Sequence, residues 1–328
     1  MTDQVIYDEE SDPWLKVLVL AIGEEAQNAI PALRQQYDYI HEPYLQYVVV
    51  SSTSDALTEH QNDSVLLLND SPLQTDEQGL PFDCTLDYLQ RCIGKTFQRA
   101  DAIFIIADFS DKRSISLTSC LSFILSQQII SHQSLLISIV NETKHFKPET
   151  NRQQFEQGLN ALQQYCNTLI VNAASDIERR LLQALPPVNR SFPPETQAIA
   201  EVFSLFAISF WYPSLIGVDF ADIYPLVSKT IDSVFVSVQG VGEDGAALAA
   251  NQAVSQLQQK LGKLSSNNIS IVVNVCGANL LFSELETIGD ILCSKISEIA
   301  DIKIVSSIAP EITKNTIVVR VLVSITDP

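Results

Sequence analysis

The sequence predicts an α/β protein of two domains: a doubly wound parallel-sheet domain, a long central helix, and a smaller α/β domain. Three observations carry this expectation. Continuous apolar runs such as Lys16 to Ile22 and Ala102 to Ala107 alternate with stretches of helical spacing, the pattern of strands buried on both faces of a parallel sheet. From Ala198 to Trp211 the chain is apolar on almost every face, with Glu201 its single charge, so this segment is a membrane span or the buried axis of a large domain. After Asp232 the pattern changes to strands interleaved with an alanine-rich helix, which reads as a second, smaller sheet.

Each element follows in order. Residues 1–13 are acidic and expected to be a disordered tail. Lys16 to Ile22 is a buried strand; Gly23 follows, then Glu24 to Tyr37 with helical spacing, Pro31 limiting where that helix begins. Tyr47 to Val50 is a second strand and Val65 to Leu68 a short edge strand. A helix is expected over 83–98, a strand over 102–107, a helix over 116–128, a strand over 134–140, a helix over 151–165 and a strand over 168–171. The first domain is therefore residues 14–183. Pro186, Pro187, Pro193 and Pro194 punctuate the entry to the central helix, which starts near Glu195; entry and helix together take residues 184–217. Gly217 breaks the apolar run and delivers Asp219 and Asp222 on a short loop. The second domain, residues 218–328, has strands at 232–238, 269–275, 302–307 and 316–325 and helices ending near Gly262 and Ser297, two helices on a four-stranded sheet.

Composition narrows the function classes. At 328 residues, 46% hydrophobic and 18% charged, the chain has ample length for a core. Its net charge of −19 argues against a nucleic-acid backbone or an anionic lipid surface as partner, and Lys144 to Lys147 is too short to make a basic patch. The 6 cysteines show no C-x-x-C spacing, and His41, His60, His132 and His145 are dispersed, so no metal site is expected and the thiols read as reduced, in a cytoplasmic protein. The N-terminus lacks the layout of a signal peptide. Glu201, Pro213, scattered serines and the lack of a basic flank count against a membrane span over 199–218. Gly94-Lys95-Thr96 is similar to the end of a P-loop, but Leu89 stands where the earlier glycine is required and no strand leads in, so it reads as chance. Glu243 and Asp244 read as a helix N-cap with first-turn charge.

The order of parts resembles the FtsZ/tubulin family of GTPases that polymerise head to tail. Gly217-Val-Asp-Phe-Ala-Asp222 resembles the FtsZ loop Asn-x-Asp-Phe-Ala-Asp that follows that family's central helix. Val241-Gly-Glu-Asp-Gly245 with its helix to Val254 resembles the family's Ser-Gly-Glu-Asp segment, and Cys276-Gly-Ala-Asn-Leu-Leu-Phe-Ser-Glu-Leu285 its Gly-Gly-x-Asp-Leu-x-Leu-x-Glu-Val. Arg320 to Thr326 resembles its closing strand, so the resemblance runs in register from about residue 14 to 327. It implies an FtsZ/tubulin-like fold, a Rossmann-type sheet domain and a smaller α/β domain joined by a central helix. A nucleotide site is then expected at the carboxyl ends of the first-domain strands.

Such a site needs glycines, because backbone N–H groups must approach phosphate with no Cβ in the way. The chain has 11 glycines in 328 residues, about 3% against a usual ~7%, and only Gly23, Gly79, Gly94 and Gly158 precede residue 180. The family's first glycine-rich loop falls on Ala21-Ile-Gly-Glu-Glu-Ala-Gln-Asn-Ala29; Gly23 and Asn28 are retained as remnants of a cofactor site, with Glu24 and Glu25 where phosphate or ribose would approach. The signature Gly-Gly-Gly-Thr-Gly-Thr-Gly falls on Ser110 to Ser116 with no glycine, and the charges of Lys112 and Arg113 are offset by Asp108 and Asp111. The guanine-reading Asn-Asp falls on Thr196-Gln197, and the Asn-Asp-Arg loop has drifted to Ala173 to Ile177.

Two readings fit Asp219 and Asp222: a solvated acidic loop capping the helix that follows, or, by the resemblance, a contact with the next subunit, where the family uses these carboxylates for hydrolysis. The expectation is a bacterial, cytoplasmic pseudo-GTPase with weak or absent GTP and GDP binding, no catalytic residue in its own pocket and no metal. It would act as a cytoskeletal or division-associated interaction protein, contacting FtsZ filaments or itself head to tail through Asp219 and Asp222. The chain ends just after the closing strand, so the family's linker and membrane-tether peptide are not expected, nor direct membrane binding. The alternatives are a nucleotide-independent structural polymer and a residual GTP-binding FtsZ-like GTPase.

Overall fold

The computed structural model describes residues 15–37, 44–51, 64–68, 100–129, 134–142, 152–177, 192–211, 215–216, 218–228, 230, 232–261, 269–296, 301–309 and 312–326. The helix expected over 83–98, the Gly94 motif, the four histidines and Gly217 lie outside the described residues.

The first domain is a six-stranded sheet of order β3-β2-β1-β4-β5-β6. Its strands are β1 (Val17–Ile22), β2 (Leu45–Ser51), β3 (Ser64–Leu67), β4 (Ala102–Asp108), β5 (Leu135–Asn141) and β6 (Thr168–Asn172). Every neighbouring pair is parallel. β1, β4 and β5 are buried along their whole length, which is why their sequences carry no alternation. Helices α1 (Glu24–Gln36), α2 (Lys112–Ile129) and α3 (Arg152–Tyr165) belong to this domain. α1 runs through Pro31, which lies on its exposed side, so the proline does not limit where the helix starts; the start is set by Gly23. α2 begins four positions before the expected Ser116, because Asp111 caps it: its carboxylate accepts from the Ser114 amide at 2.8 Å. Four serine and threonine hydroxyls in α2 (Thr118, Ser119, Ser122, Ser126) bond back to carbonyls one turn earlier, so a polar composition sits on a buried helix without orphaned hydroxyls.

The central helix α4 (Pro194–Trp211) lies between the domains. One hydrophobic cluster joins Phe104 and Ile137 of the first sheet, Phe203 and Phe206 of α4, and Phe235, Val272, Val305 and Leu322 of the second sheet. Edge-to-face contacts of Phe104 with Phe203 at 4.9 Å and with Phe206 at 5.4 Å fix the helix on its first-domain side. Burial between two sheets accounts for the all-round apolarity. Among the described residues no helix is long and apolar enough to cross a membrane.

α4 is followed by the short helix α5 (Phe220–Val227) and a four-stranded sheet of order β7-β10-β8-β9. These strands are β7 (Asp232–Val241), β8 (Ile269–Gly277), β9 (Asp301–Ile308) and β10 (Thr316–Ile325). β10 is antiparallel to both neighbours and β8 is parallel to β9. Helices α6 (Gly245–Leu261) and α7 (Phe282–Ile296) cover it through a core of Ala249, Ala253, Leu257, Leu285, Ile288 and Leu292.

The one charge in the apolar stretch of α4, residues 198–211, is explained here. Arg320 of β10, 1% exposed, donates from Nε to Glu201 Oε2 at 2.7 Å and from Nη1 to Asn274 Oδ1 and Cys276 Sγ at 3.3 Å each. Ser237 Oγ donates to the same carboxylate oxygen at 2.9 Å. Glu201 is a buried tie between helix and second sheet.

Candidate functional site

The sheet order reverses between β1 and β4, so their carboxyl ends open the crevice in which open α/β sheets bind ligands. Gly23 sits at this point with φ 93°, a left-handed backbone that only glycine adopts at little cost. A Cβ there would stand 2.8 Å from Asp108 Cβ. The conformation is thus retained together with a close neighbour, and the neighbour is a carboxylate of the chain itself.

Asp108 ends β4 and is 2% exposed. Its carboxylate accepts from the Ser110 amide at 2.8 Å, from Ser110 Oγ at 3.0 Å and, at the longer distance of 3.4 Å, from the Glu25 amide in the first turn of α1. An anion is stabilised at a helix N-terminus by amide donors and the helix dipole. Here the internal carboxylate takes that role. Across the crevice, Asp111 accepts from the Ser114 amide and from Ser114 Oγ at 3.2 Å, so the first turn of α2 is capped internally as well. Lys112 and Arg113 are exposed, and Arg113 Nη2 donates to the Leu68 carbonyl at 3.2 Å.

The remaining walls are acidic or amide. Asn141 Nδ2 donates to the Glu195 carbonyl at 3.0 Å, and Asn172 Nδ2 donates to Asn141 Oδ1 at 2.9 Å, tying the ends of β5 and β6 to the start of α4. Half-buried Glu25 faces this group. Its pKa is raised to about 7, first by burial and then by the charges of Asp108, Glu195 and Glu24, against a hydrogen bond from Asn141. Glu142 is held below its ordinary range, chiefly by a hydrogen bond from Arg152, and also accepts from the Ala174 amide at 3.2 Å. Asp176, in the segment of the drifted Asn-Asp-Arg loop, pairs with Lys260 of α6.

The residues at the guanine-reading position are turned to local work. Thr196 is buried, and Gln197 Nε2 donates to the Phe192 carbonyl at 2.7 Å. Asn28 is exposed on the second turn of α1. The structure therefore brings Gly23, Glu24, Glu25, Asp108 and Glu195 to one crevice. The residues present fit a phosphate group poorly, because amides and hydroxyls of the Asp108 and Asp111 turns point at carboxylates of the chain.

At the other end of α4, Asp219 and Asp222 take the first of the two expected readings and cap the helix that follows. They form a reciprocal capping box at the start of α5: the Asp219 carboxylate accepts from the Asp222 amide at 3.0 Å, and Asp222 accepts from the Asp219 amide at 3.3 Å. Both carboxylates are nevertheless exposed. The preceding segment is anchored by Ser306 Oγ of β9, which accepts from the Leu215 amide at 3.1 Å and the Ile216 amide at 2.9 Å. Among the described residues no group of three or more His, Cys, Asp or Glu is arranged to hold a metal ion.

Sequence reasoning noted Asp108 only as a charge offsetting Lys112 and Arg113. Its signal was present: an Asp ending an apolar strand with Ser two residues on is the pattern of an Asx turn, whose carboxylate accepts local amides.

No protein-family model matches the chain. The cell division protein FtsZ of Haemophilus influenzae is 26% identical over 230 residues, 67% of this chain and 52% of that protein. The chain thus matches about half the length of the curated relatives. Among solved structures, an FtsZ variant of M. jannaschii superposes with a TM-score of 0.73 at 18% identity, covering 95% of this chain and 91% of that one. CetZ2 from Haloferax volcanii, solved as a GTPγS-bound protofilament, gives 0.63 at 11% identity, covering 94% and 92%. The fold is that of FtsZ and CetZ.

Proposed function

The chain is a divergent FtsZ/tubulin-like protein, and from that premise we propose that it is a pseudo-GTPase: an interaction protein of the cell-division cytoskeleton that binds GTP and GDP weakly or not at all. One observation carries the reading. The crevice that would receive nucleotide is lined by the chain's own carboxylates, with buried Asp108 accepting from the Ser110 amide and hydroxyl. A nucleoside triphosphate brings about three to four negative charges beside Glu24, Glu25 and Glu195, and each close like-charge pair costs roughly 1 to 4 kcal/mol at effective dielectrics between water and the protein surface. Lost amide bonds to phosphate add to that cost.

The interaction half of the proposal rests on the opposite end of α4, where Asp219 and Asp222 are presented, exposed, on a rigid capped helix. We assign this end to docking on an FtsZ-type filament, which it would cap, since the nucleotide-side face no longer offers the next subunit a nucleotide. Denaturing the purified protein and measuring released nucleotide by absorbance and ion-pair chromatography tests the first half. Well under one-tenth of an equivalent is expected; one equivalent of GDP or GTP overturns it. Sedimentation and GTP turnover of an FtsZ from the same source, with sub-stoichiometric amounts of this protein, test the second. An unchanged pellet and turnover with no co-sedimentation overturn capping.

A further inference from the structure

Asn141, the last residue of β5, is a buried amide with all of its polar atoms engaged. Its Nδ2 donates to the Glu195 carbonyl at 3.0 Å and to the Glu25 carboxyl, while its Oδ1 accepts from Asn172 Nδ2 at 2.9 Å. One side chain thus fastens the first turn of α1, the first turn of α4 and the end of β6 to the end of β5.

Carboxyl groups converge on this clasp from three elements. Glu24 and Glu25 open α1, Asp108 ends β4 and Glu195 opens α4, and the charges of Asp108, Glu195 and Glu24 all act on Glu25. On α2, Asp111 is taken up by its cap to Ser114, and Lys112 and Arg113 are exposed, with Arg113 Nη2 turned to the Leu68 carbonyl. Beyond β5 and β6, Glu142 is paired with Arg152 and Asp176 with Lys260. Like charges held together cannot all ionise without cost, so one carboxyl keeps its proton to higher pH. Half-buried Glu25 is that carboxyl, raised to about 7 first by burial and then by its acidic neighbours. A proton on Glu25 removes its repulsion of Asp108 and Glu195; losing it sets three carboxylates around one amide. The proton is bound more tightly with the two turns together than apart. Closure is therefore strongest below about pH 4.5 and weakens as pH rises through about 7.

We propose that Asn141, Glu25 and Glu195 form a proton-operated latch: with Glu25 neutral the first turns of α1 and α4 are held together on the ends of β5 and β6, and with Glu25 ionised they part. The latch goes beyond the pseudo-GTPase reading and does not depend on it, since every group in it belongs to the chain. It acts on the helix that joins the domains, because Glu201 of α4 is tied to the second sheet through Arg320.

Amide hydrogen exchange of the full chain, read by mass spectrometry without added nucleotide, tests the latch. Parent and Glu25→Gln are compared at the same pH, so the intrinsic exchange chemistry cancels. Over 24–30 and 195–200 the parent is expected to exchange roughly tenfold faster than Glu25→Gln at pH 8, a ratio that falls several-fold by pH 5. Glu195→Gln, a change on the other helix, should slow both segments at pH 8 as Glu25→Gln does. Asn141→Ala, which removes the amide that both turns share, should speed exchange over 195–200 at both pH values. The first turns of α7, 282–288, open locally and far from the crevice, and should exchange alike in parent and Glu25→Gln. Equal rates over 195–200 at pH 8, a ratio that does not change with pH, or an equal change over 282–288 overturns the latch. So does an Asn141→Ala chain whose 195–200 segment exchanges at the parent rate.

Discussion

Replacing Glu25 by Gln removes one titrating charge from the crevice without changing its shape, and the effect must depend on pH. The carboxyl stands near pH 7 in the folded chain against 4.5 ordinarily. A raised carboxyl binds its proton more tightly folded than unfolded, so its contribution to stability is fully present below about pH 4.5, falls as pH rises and is lost through about pH 7. Taken whole, that difference is about 3.4 kcal/mol at ~1.4 kcal/mol per tenfold change in proton activity. Glu25 is only half-buried, and water at the crevice mouth reduces the figure to about 1–2 kcal/mol. Glu25→Gln should therefore gain about 1–2 kcal/mol at pH 8 and almost nothing at about pH 4, where the parent carboxyl is mostly protonated in the folded and the unfolded chain alike. Urea unfolding of parent and variant at both pH values, at fixed ionic strength, measures this difference, and the titration of other groups cancels in the comparison. A gain of equal size at both pH values, or none at pH 8, refutes the account of Glu25 as a carboxyl raised first by burial and then by Asp108, Glu195 and Glu24.

Other substitutions probe the rest of the framework. Glu201→Ala strands the Arg320 guanidinium in the core and should cost about 3–5 kcal/mol in urea unfolding, whereas Glu201→Leu combined with Arg320→Met should recover most of that loss. A single variant costing under about 1 kcal/mol would show that the buried tie contributes little. Gly23→Ala forces a left-handed backbone on a residue whose Cβ meets Asp108 at 2.8 Å; a loss of about 2–4 kcal/mol is expected in thermal melts, and a neutral result refutes the close approach. At the other end, Asp219→Ala removes the α5 cap and should lower stability by about 0.5–2 kcal/mol, while Asp219→Asn, which still caps, should leave it near the parent value.

Periodicity reached the architecture because burial writes it directly into the chain. The uninterrupted apolar runs of β1, β4 and β5 are those of strands covered on both faces, and the apolar girth of α4 is that of a helix wedged between two sheets. What periodicity missed was polar and local. The start of α2 is fixed by the Asp111 carboxylate rather than by an apolar position, so a hydrophobic pattern places it four residues late. Pro31 is tolerated inside α1 because it points outward. The capping role of Asp219 and Asp222 was one of the two readings of the sequence, but the helix they start has eight residues, too few turns to register a period of its own. The pairing of Glu201 with Arg320, 119 positions apart, was beyond any local pattern, although a single charge in the apolar stretch 198–211 already implied a buried partner.

The crevice and the tie answer one physical demand. Parallel strands and the helices that follow them end in unpaired amides, which side chains, water or a ligand must satisfy. Asp108 and Asp111 do so from within the chain, on the turns where a phosphate cradle would stand. Ligand binding to the native state adds stability in proportion to occupancy, and a fold that depends on this is unstable when empty. The chain supplies its own anions at the helix N-termini and fixes its second sheet to the central helix through a buried Arg320–Glu201 pair, contacts that act without a ligand. The proposed loss of nucleotide binding therefore requires a fold whose stability does not change when GTP is added.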